Sequence, residues 1–222
     1  MAVSKRIKEI CKYIDLNSKV ADIGCDHGYL ILEALSSKKI LYAQLIDNKI
    51  KPLEKAKSNL KNIDLNVDYT LSNGLDELNP KVDTIVLAGM GGLLIKDIIK
   101  KNFHRIENKS LIIQANNNLE KLRKFLYDNS IYPVSEKIIF ERSYFYQIML
   151  LRKTKEIRKY DFIDLYLGMK LKKDTSLTMY EYCISELKKY NTIKESLFKN
   201  KEIEIIDRKI QILNEKIESF NS

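Results

Sequence analysis

The feature that most restricts this chain is a rhythm. Up to Ser130, short apolar runs alternate with amphipathic segments, and each strand–helix–strand unit takes about 30 residues. "KVADIG" reads as a first strand and "YLILEALSS" as the helix after it. "ILYAQLID" and "IKPLEKAKSNLKN" repeat the pair, with Pro52 tolerated in the first helical turn. "NVDYTLSNG" and "VDTIVLAG" are further strands, "LLIKDIIKK" a helix, "SLIIQAN" a fifth strand and "LEKLRKFLYDNS" its helix. Such a repeat implies an α/β fold around a mostly parallel sheet with right-handed crossovers. The rhythm then breaks. "YPVSEKIIFERSYFYQIMLLRK" holds two β-rich runs with no helix between them, which predicts an antiparallel hairpin closing one sheet edge.

Both ends of the chain are helical. "MAVSKRIKEICKYI" is amphipathic, with Ile7, Ile10, Cys11 and Ile14 on one face. After the basic connector "RKTKEIRK" come "MYEYCISELKKYN" and "KESLFKNKEIEIIDRKIQILNEKIESF", nearly free of Gly and Pro. In the second, Ile203, Ile206, Ile210, Leu213 and Ile217 recur at three- and four-residue steps, the seam of a coiled coil. The expected organisation is an α/β domain over 1–155 and an antiparallel helical hairpin over 156–222.

The carboxyl ends of the strands carry the chemistry. In "ADIGCDHGYL", Asp22, Gly24, Asp26 and Gly28 fall at two-residue steps. This is a poor dinucleotide fingerprint. It lies closer to the acidic-x-Gly-x-Gly-x-Gly loop of S-adenosylmethionine (SAM) methyltransferases, with Asp26 replacing the middle glycine. SAM has no phosphate but carries an amino group and a sulfonium, which acidic side chains suit, and glycine lets the backbone approach. Asp47 ends the second strand, about 20 residues past this loop, where a carboxylate accepts from ribose hydroxyls. Asn73 and Gly74 in "SNGL" fit the adenine edge of a cofactor and equally a simple Asn-Gly turn. "LAGMGG" places three glycines at a strand's carboxyl end, where open α/β sheets bind ligands. In "QANNN", side-chain amides offer donor and acceptor together, which suits a nucleobase edge and equally turn capping. His104 reads as a surface loop residue. Tyr144, Phe145 and Tyr146 read as strand packing.

Composition excludes some classes. No apolar stretch approaches the roughly 20 residues that span a bilayer, and the N-terminus lacks the apolar run of a signal peptide. Cys11, Cys25 and Cys183 are odd in number and widely spaced, which fits neither a disulfide framework nor a metal site. The expectation is a cytoplasmic monomer that binds no membrane and no metal. A net charge of +9 invites nucleic acid, although Lys, Asn and Ile enrichment also follows from AT-rich codons.

Taken together and in this order, "ADIGCDHGYL", "IDNKIKPLEKA", "SNGL", "AGMGG" and "QANN" resemble the bacterial tRNA (adenine-N1)-methyltransferase family often called TrmK. The resemblance covers nearly the whole chain, from "SKRI" to the helical C-terminus. It implies a Rossmann-like class I methyltransferase domain, SAM as donor, and a coiled-coil appendage that helps hold tRNA. The implied target is N1 of an adenine in the D-loop region, position 22. The cofactor set then comprises Asp22, Gly24, Asp26, Gly28, Asp47, Asn48, Asn73, Gly74, Ala88, Gly89 and Met90. The substrate set is Arg6, Gly91, Gln114 and Asn116, and Asp26 and His27 are the catalytic candidates. Members usually carry serine at Cys25 and alanine at Gly28, and often proline at Ala115. Two alternatives stand beside this reading: a SAM methyltransferase of another RNA or a small molecule, and a non-catalytic tRNA-binding module.

Overall fold

A computed structural model of the chain describes residues 3–37, 40–196 and 201–220. The elements follow the expected alternation: α1 (Lys5–Cys11), β1 (Lys19–Ile23), α2 (Tyr29–Ser37), β2 (Tyr42–Asp47), α3 (Ile50–Leu60), β3 (Val67–Leu71), β4 (Thr84–Met90), α4 (Gly92–Lys101), β5 (Ser110–Ala115) and α5 (Leu119–Asp128). The hairpin β6 (Ile131–Glu141) and β7 (Tyr144–Lys153) comes next, then α6 (Phe162–Tyr166), α7 (Leu177–Glu195) and α8 (Lys201–Glu218).

All seven strands form one sheet in the order β3-β2-β1-β4-β5-β7-β6. β1 to β5 pair in parallel, while β7 runs antiparallel between β5 and β6. β1 to β5 are buried on both faces except for β3 at the edge, as their near-continuous Val, Ile and Leu content requires. One face packs Ile85, Leu87, Ile95 and Leu122 beneath α4 and α5. The other packs Ile14, Val20, Ile31 and Leu45 beneath α1 to α3. A third core, with Ile138, Tyr166, Met179, Cys183 and Leu213, joins the C-terminal helices to the hairpin.

Four local expectations change. The first helix is shorter than its apolar pattern, because the Ser4 side chain accepts from the Ile7 N–H and starts the helix at Lys5. Its apolar face is as expected, with Ile10, Cys11 and Ile14 buried. The last helical segment is expected to begin at Lys194, but α7 continues through Glu195. The expectation leaves Thr192 and Ile193 for the joining turn, but both lie inside α7. The two helices run antiparallel: Lys194 pairs with Asp207 at one end and Tyr180 meets Phe220 at the other. The α8 seam is also wider than the coiled-coil pattern. Ile206 and Leu213 are buried as expected, but so are Ile212, Lys209 and Lys216. The extra face exists because α8 touches the α/β part as well as α7: Lys209 pairs with Glu120 of α5. Finally, Tyr144 is 66% exposed, so it is not strand packing.

Candidate active site

In this strand order the chain leaves β1 toward β2 on one side and arrives at β4 on the other. The crevice at their carboxyl ends is the switch point where open α/β sheets take ligands. The first loop lies in it. Gly24 has φ +71°, and its N–H donates to the Ile46 carbonyl at 2.8 Å, which ties the loop to β2. A Cβ added to Gly24 would lie 2.5 Å from Met90 Cε. The left-handed φ, which glycine takes without strain, keeps the backbone bare here, and the added carbon would also push the Met90 tip aside.

Two recesses meet at Gly24. The larger, about 380 Å³, is lined by Asp47, Asn48, Ser72, Asn73, Gly74 and Met90, with Leu94 and Ile98 of α4 and Asn102 just past its end opposite. Its walls are mainly apolar with polar groups at the strand ends, which suits a flat purine and its sugar. Among the described residues the Ser72 hydroxyl, buried there, has no hydrogen-bond partner. The Asp47 carboxylate accepts from the Lys49 N–H at 2.9 Å, which fixes it at the mouth of the crevice. The smaller recess, about 80 Å³, is bounded by Arg6, Asp22, Cys25, Asp26, Tyr29 and Ala88.

This recess is acidic at its base. Burial pushes the Asp22 carboxyl up to about 7, and the neighbouring Asp26 and Asp47 carboxylates push it the same way. A cationic group placed here would relieve that repulsion. An ammonium and a sulfonium are therefore the right chemistry for the cradle, and the residues present fit SAM. Cys25 is buried and its thiol is pushed up by burial, so it is no nucleophile.

Across from the acids stands a hydrogen-bonded clamp. Gln114 is fully buried at the end of β5. Its Oε1 accepts from Arg6 Nη1 at 3.0 Å and from the Gly89 N–H at 3.1 Å. Its Nε2 donates to Asn116 Oδ1 at 3.0 Å, and Asn116 Nδ2 donates to the Gly89 carbonyl at 2.7 Å. A β-bulge between Ala88 and Met90 turns the Gly89 peptide toward these amides. Arg6 is held from behind, since the Lys5 and Arg6 N–H groups donate to the Glu141 carboxylate.

The remaining expected residues divide. Asp26 is exposed, with its side chain 83% open at the mouth of the small recess. His27 Nε2 lies 3.4 Å from Asp26 Oδ1, but His27 lines neither recess and its carbonyl accepts from Asn59 of α3. Gly28 also lines neither recess. An added Cβ there would meet Leu60, Leu45 and Ala56 at 3.1–3.3 Å, so its role is close packing of the loop on α3 and β2. Gly91 caps the start of α4 and faces Asn117. The contribution of α4 was missed. Its signal was present: Leu94 and Ile98 lie beside the stripe formed by Ile95 and Ile99, more apolar surface than one core-facing side needs. Among the described residues, no group of three or more His, Cys, Asp or Glu could hold a metal ion.

Comparison with known proteins agrees with this geometry. A methyltransferase-domain family model matches residues 3–149. The chain is 34% identical, over 76% of its length and 78% of the other, to MG248 of Mycoplasma genitalium, assigned as a tRNA methyltransferase. It is 27% identical to the tRNA (adenine(22)-N(1))-methyltransferase of Bacillus subtilis, over 98% of this chain and 95% of that one. The Streptococcus pneumoniae protein Sp1610, solved in complex with S-adenosyl-L-methionine, superposes with a TM-score of 0.87 at 27% identity, covering 97% of this chain and all of that one. The present chain therefore belongs to the methyltransferase-domain family, among the TrmK-type tRNA methyltransferases that it matches along its length.

Proposed function

We propose that this protein transfers a methyl group from SAM to N1 of an adenine in tRNA, at the position 22 that the name of its Bacillus subtilis relative specifies. The observation that carries the reading is a glycine-lined cleft joined to three carboxylates at the switch point, Asp22, Asp26 and Asp47. In this reading 1–155 is the catalytic domain and 156–222 helps hold the RNA. The protein acts as a monomer in the cytoplasm. Among the described residues no helix is long and apolar enough to cross a membrane. Mass spectrometry of unmodified tRNA after incubation with the protein and SAM tests the proposal: a methyl at N1 of that adenine is expected, and an unchanged tRNA refutes it.

Asp47 would take the ribose hydroxyls of the cofactor, Asn48, Asn73 and Gly74 its adenine, and Asp22 its amino group, while Gly24, Ala88 and Met90 shape the wall and Gly89 holds the clamp. When bound, SAM supplies an electrophilic methyl group on a positively charged sulfur. The chain's own residues do the rest. Adenine N1 lies on the pairing edge, so the base must be held unpaired. Most of the rate enhancement follows from holding it at reacting distance. Arg6 and Asn116 retain free hydrogen-bonding capacity toward a base. Gln114 has spent most of its own on them and is a positioning residue.

Methylation at N1 leaves the base cationic. Asp26 is the exposed carboxylate nearest the recess and would stabilise that charge or accept the proton, with His27 orienting it. Asp26→Asn is therefore expected to lower turnover at saturating SAM about 100-fold. Unchanged turnover with a raised KM for SAM would reassign Asp26 to the cofactor.

A pH dependence follows from Asp22. Its proton is retained up to about pH 7 in the free protein, and a cationic ligand favours the ionised form. Binding of SAM then releases a proton, and affinity rises with pH up to about 7 before levelling. Calorimetry in buffers of different ionisation enthalpy between about pH 5.5 and 6.5, more than one unit below the pKa of an α-amino group, checks this. In Asp22→Asn the proton release disappears.

A further inference from the structure

We propose that the groove between the Asn116–Asn118 loop, the β6–β7 turn and helices α7 and α8 is a second nucleotide subsite, which takes an unpaired RNA base beside the target adenine. The inference rests on the tRNA reading above and extends it to a surface that the reading does not use.

The groove has a volume of about 610 Å³, enough for one nucleotide. Tyrosines dominate it: Tyr166, Tyr182 and Tyr190 line it on the helical side, and Tyr144 stands at its rim. Tyr166 is 4% exposed, and among the described residues its hydroxyl, buried beside Tyr190, makes no well-directed hydrogen bond. A buried hydroxyl left in this condition is a group that a ligand can complete. Tyr144 shows the opposite anomaly, a large aromatic ring left in water. It is held there by a two-residue turn whose residues Arg142 and Ser143 have φ +48° and +70°, conformations that Asn-Gly would adopt with less strain.

The charges favour RNA. The acids in the groove are already matched: Glu186 pairs with Lys189 at 2.9 Å, and Glu120 pairs with Lys209. Lys189 remains 56% exposed and lies 5.3 Å from the Tyr190 ring centre, so a cation borders the stacking surface. Helix α5 opens into the same groove, and its N-cap residue Asn118, in a left-handed conformation, makes no side-chain cap bond. Aromatic faces, side-chain amides and cations in one groove are the components that hold a single-stranded nucleotide.

The groove is also continuous with the active site. Asn116 belongs to its wall and to the clamp on Gly89. The Arg6 guanidinium lies 5.2 Å from the Tyr146 ring centre, and the Tyr146 ring lies 6.4 Å from that of Tyr144. A row of planar groups thus leads from the small recess to the groove, as a chain of unstacked bases would need.

The test is tRNA binding by fluorescence anisotropy over a salt series. Tyr144→Ala is expected to weaken tRNA binding about tenfold while SAM affinity and thermal stability stay unchanged. Tyr144→Phe keeps the ring and should bind within about twofold of the parent. Lys189→Ala should reduce the slope of log affinity against log salt by about one. If both Tyr144→Ala and Lys189→Ala bind tRNA as the parent does, the subsite is refuted, while methylation of tRNA by the parent leaves the catalytic reading standing. If the parent itself puts no methyl on tRNA, both fall.

Discussion

Arg123→Met is expected to lower the melting temperature by roughly 6–20 °C, from a loss of about 3–5 kcal/mol. Arg123 lies on α5 and is fully buried, as is its partner Glu136 on β6, 2.9 Å away. The same guanidinium donates to Gln147 on β7 at 2.7 Å and to the Leu165 and Tyr166 carbonyls at 3.2 and 3.1 Å. Burial alone would ease the proton off Arg123, but the Glu136 carboxylate keeps its affinity for the proton above the ordinary value. One side chain therefore ties α5, both hairpin strands and α6 together. Removing it strands the Glu136 carboxylate in the interior, where among the described residues only the Lys170 N–H, at 2.8 Å, still serves it. Thermal denaturation measures the loss. The double variant Arg123→Met/Glu136→Gln removes the stranded charge and should recover part of it; no recovery would mean that the hydrogen bonds to Leu165 and Tyr166 matter more than the charge pair.

Gly24→Val is expected to reduce SAM affinity at least 100-fold, by about 3 kcal/mol or more. A left-handed φ costs an L-residue about 1–2 kcal/mol, and a β-branched side chain more. The loop cannot rotate away, because the Gly24 N–H is bonded to the Ile46 carbonyl. The new Cβ would displace the Met90 side chain, which itself lines the large recess. Calorimetric titration with SAM reads the effect. Affinity within tenfold of the parent would show that Gly24 is not the junction of the two recesses in the bound state.

The strands and the order of their loops were legible because each depends on neighbours a few residues away. Val20, Ala21 and Ile23 read as strand whatever lies across from them, and Asp22, Asp47 and Gly89 fall at strand ends by counting. The hairpin was legible for the same reason, though not its placement, in which β7 and not β6 pairs with β5. The loop "ADIGCDHGYL" was half legible. Gly24 and Gly28 look equivalent in the sequence, yet one opens the cleft and the other seats the loop on α3. Leu94 and Ile98 were hidden because an apolar helix face announces burial without naming what it buries.

Local pattern is therefore sufficient for the α/β class, the carboxyl-edge site and the acidic character of the cofactor loop, because hydrophobic period and glycine placement act over one turn or one strand. What depends on distant segments is different in kind. The burial of Asp22 within the field of the Asp26 and Asp47 carboxylates, the buried union of Arg123 with Glu136, and the position of Tyr144 at a groove walled by α7 all require residues far apart in the chain to meet. No local period encodes such meetings; they arise when the sheet order and the packing of the C-terminal helices bring those surfaces together.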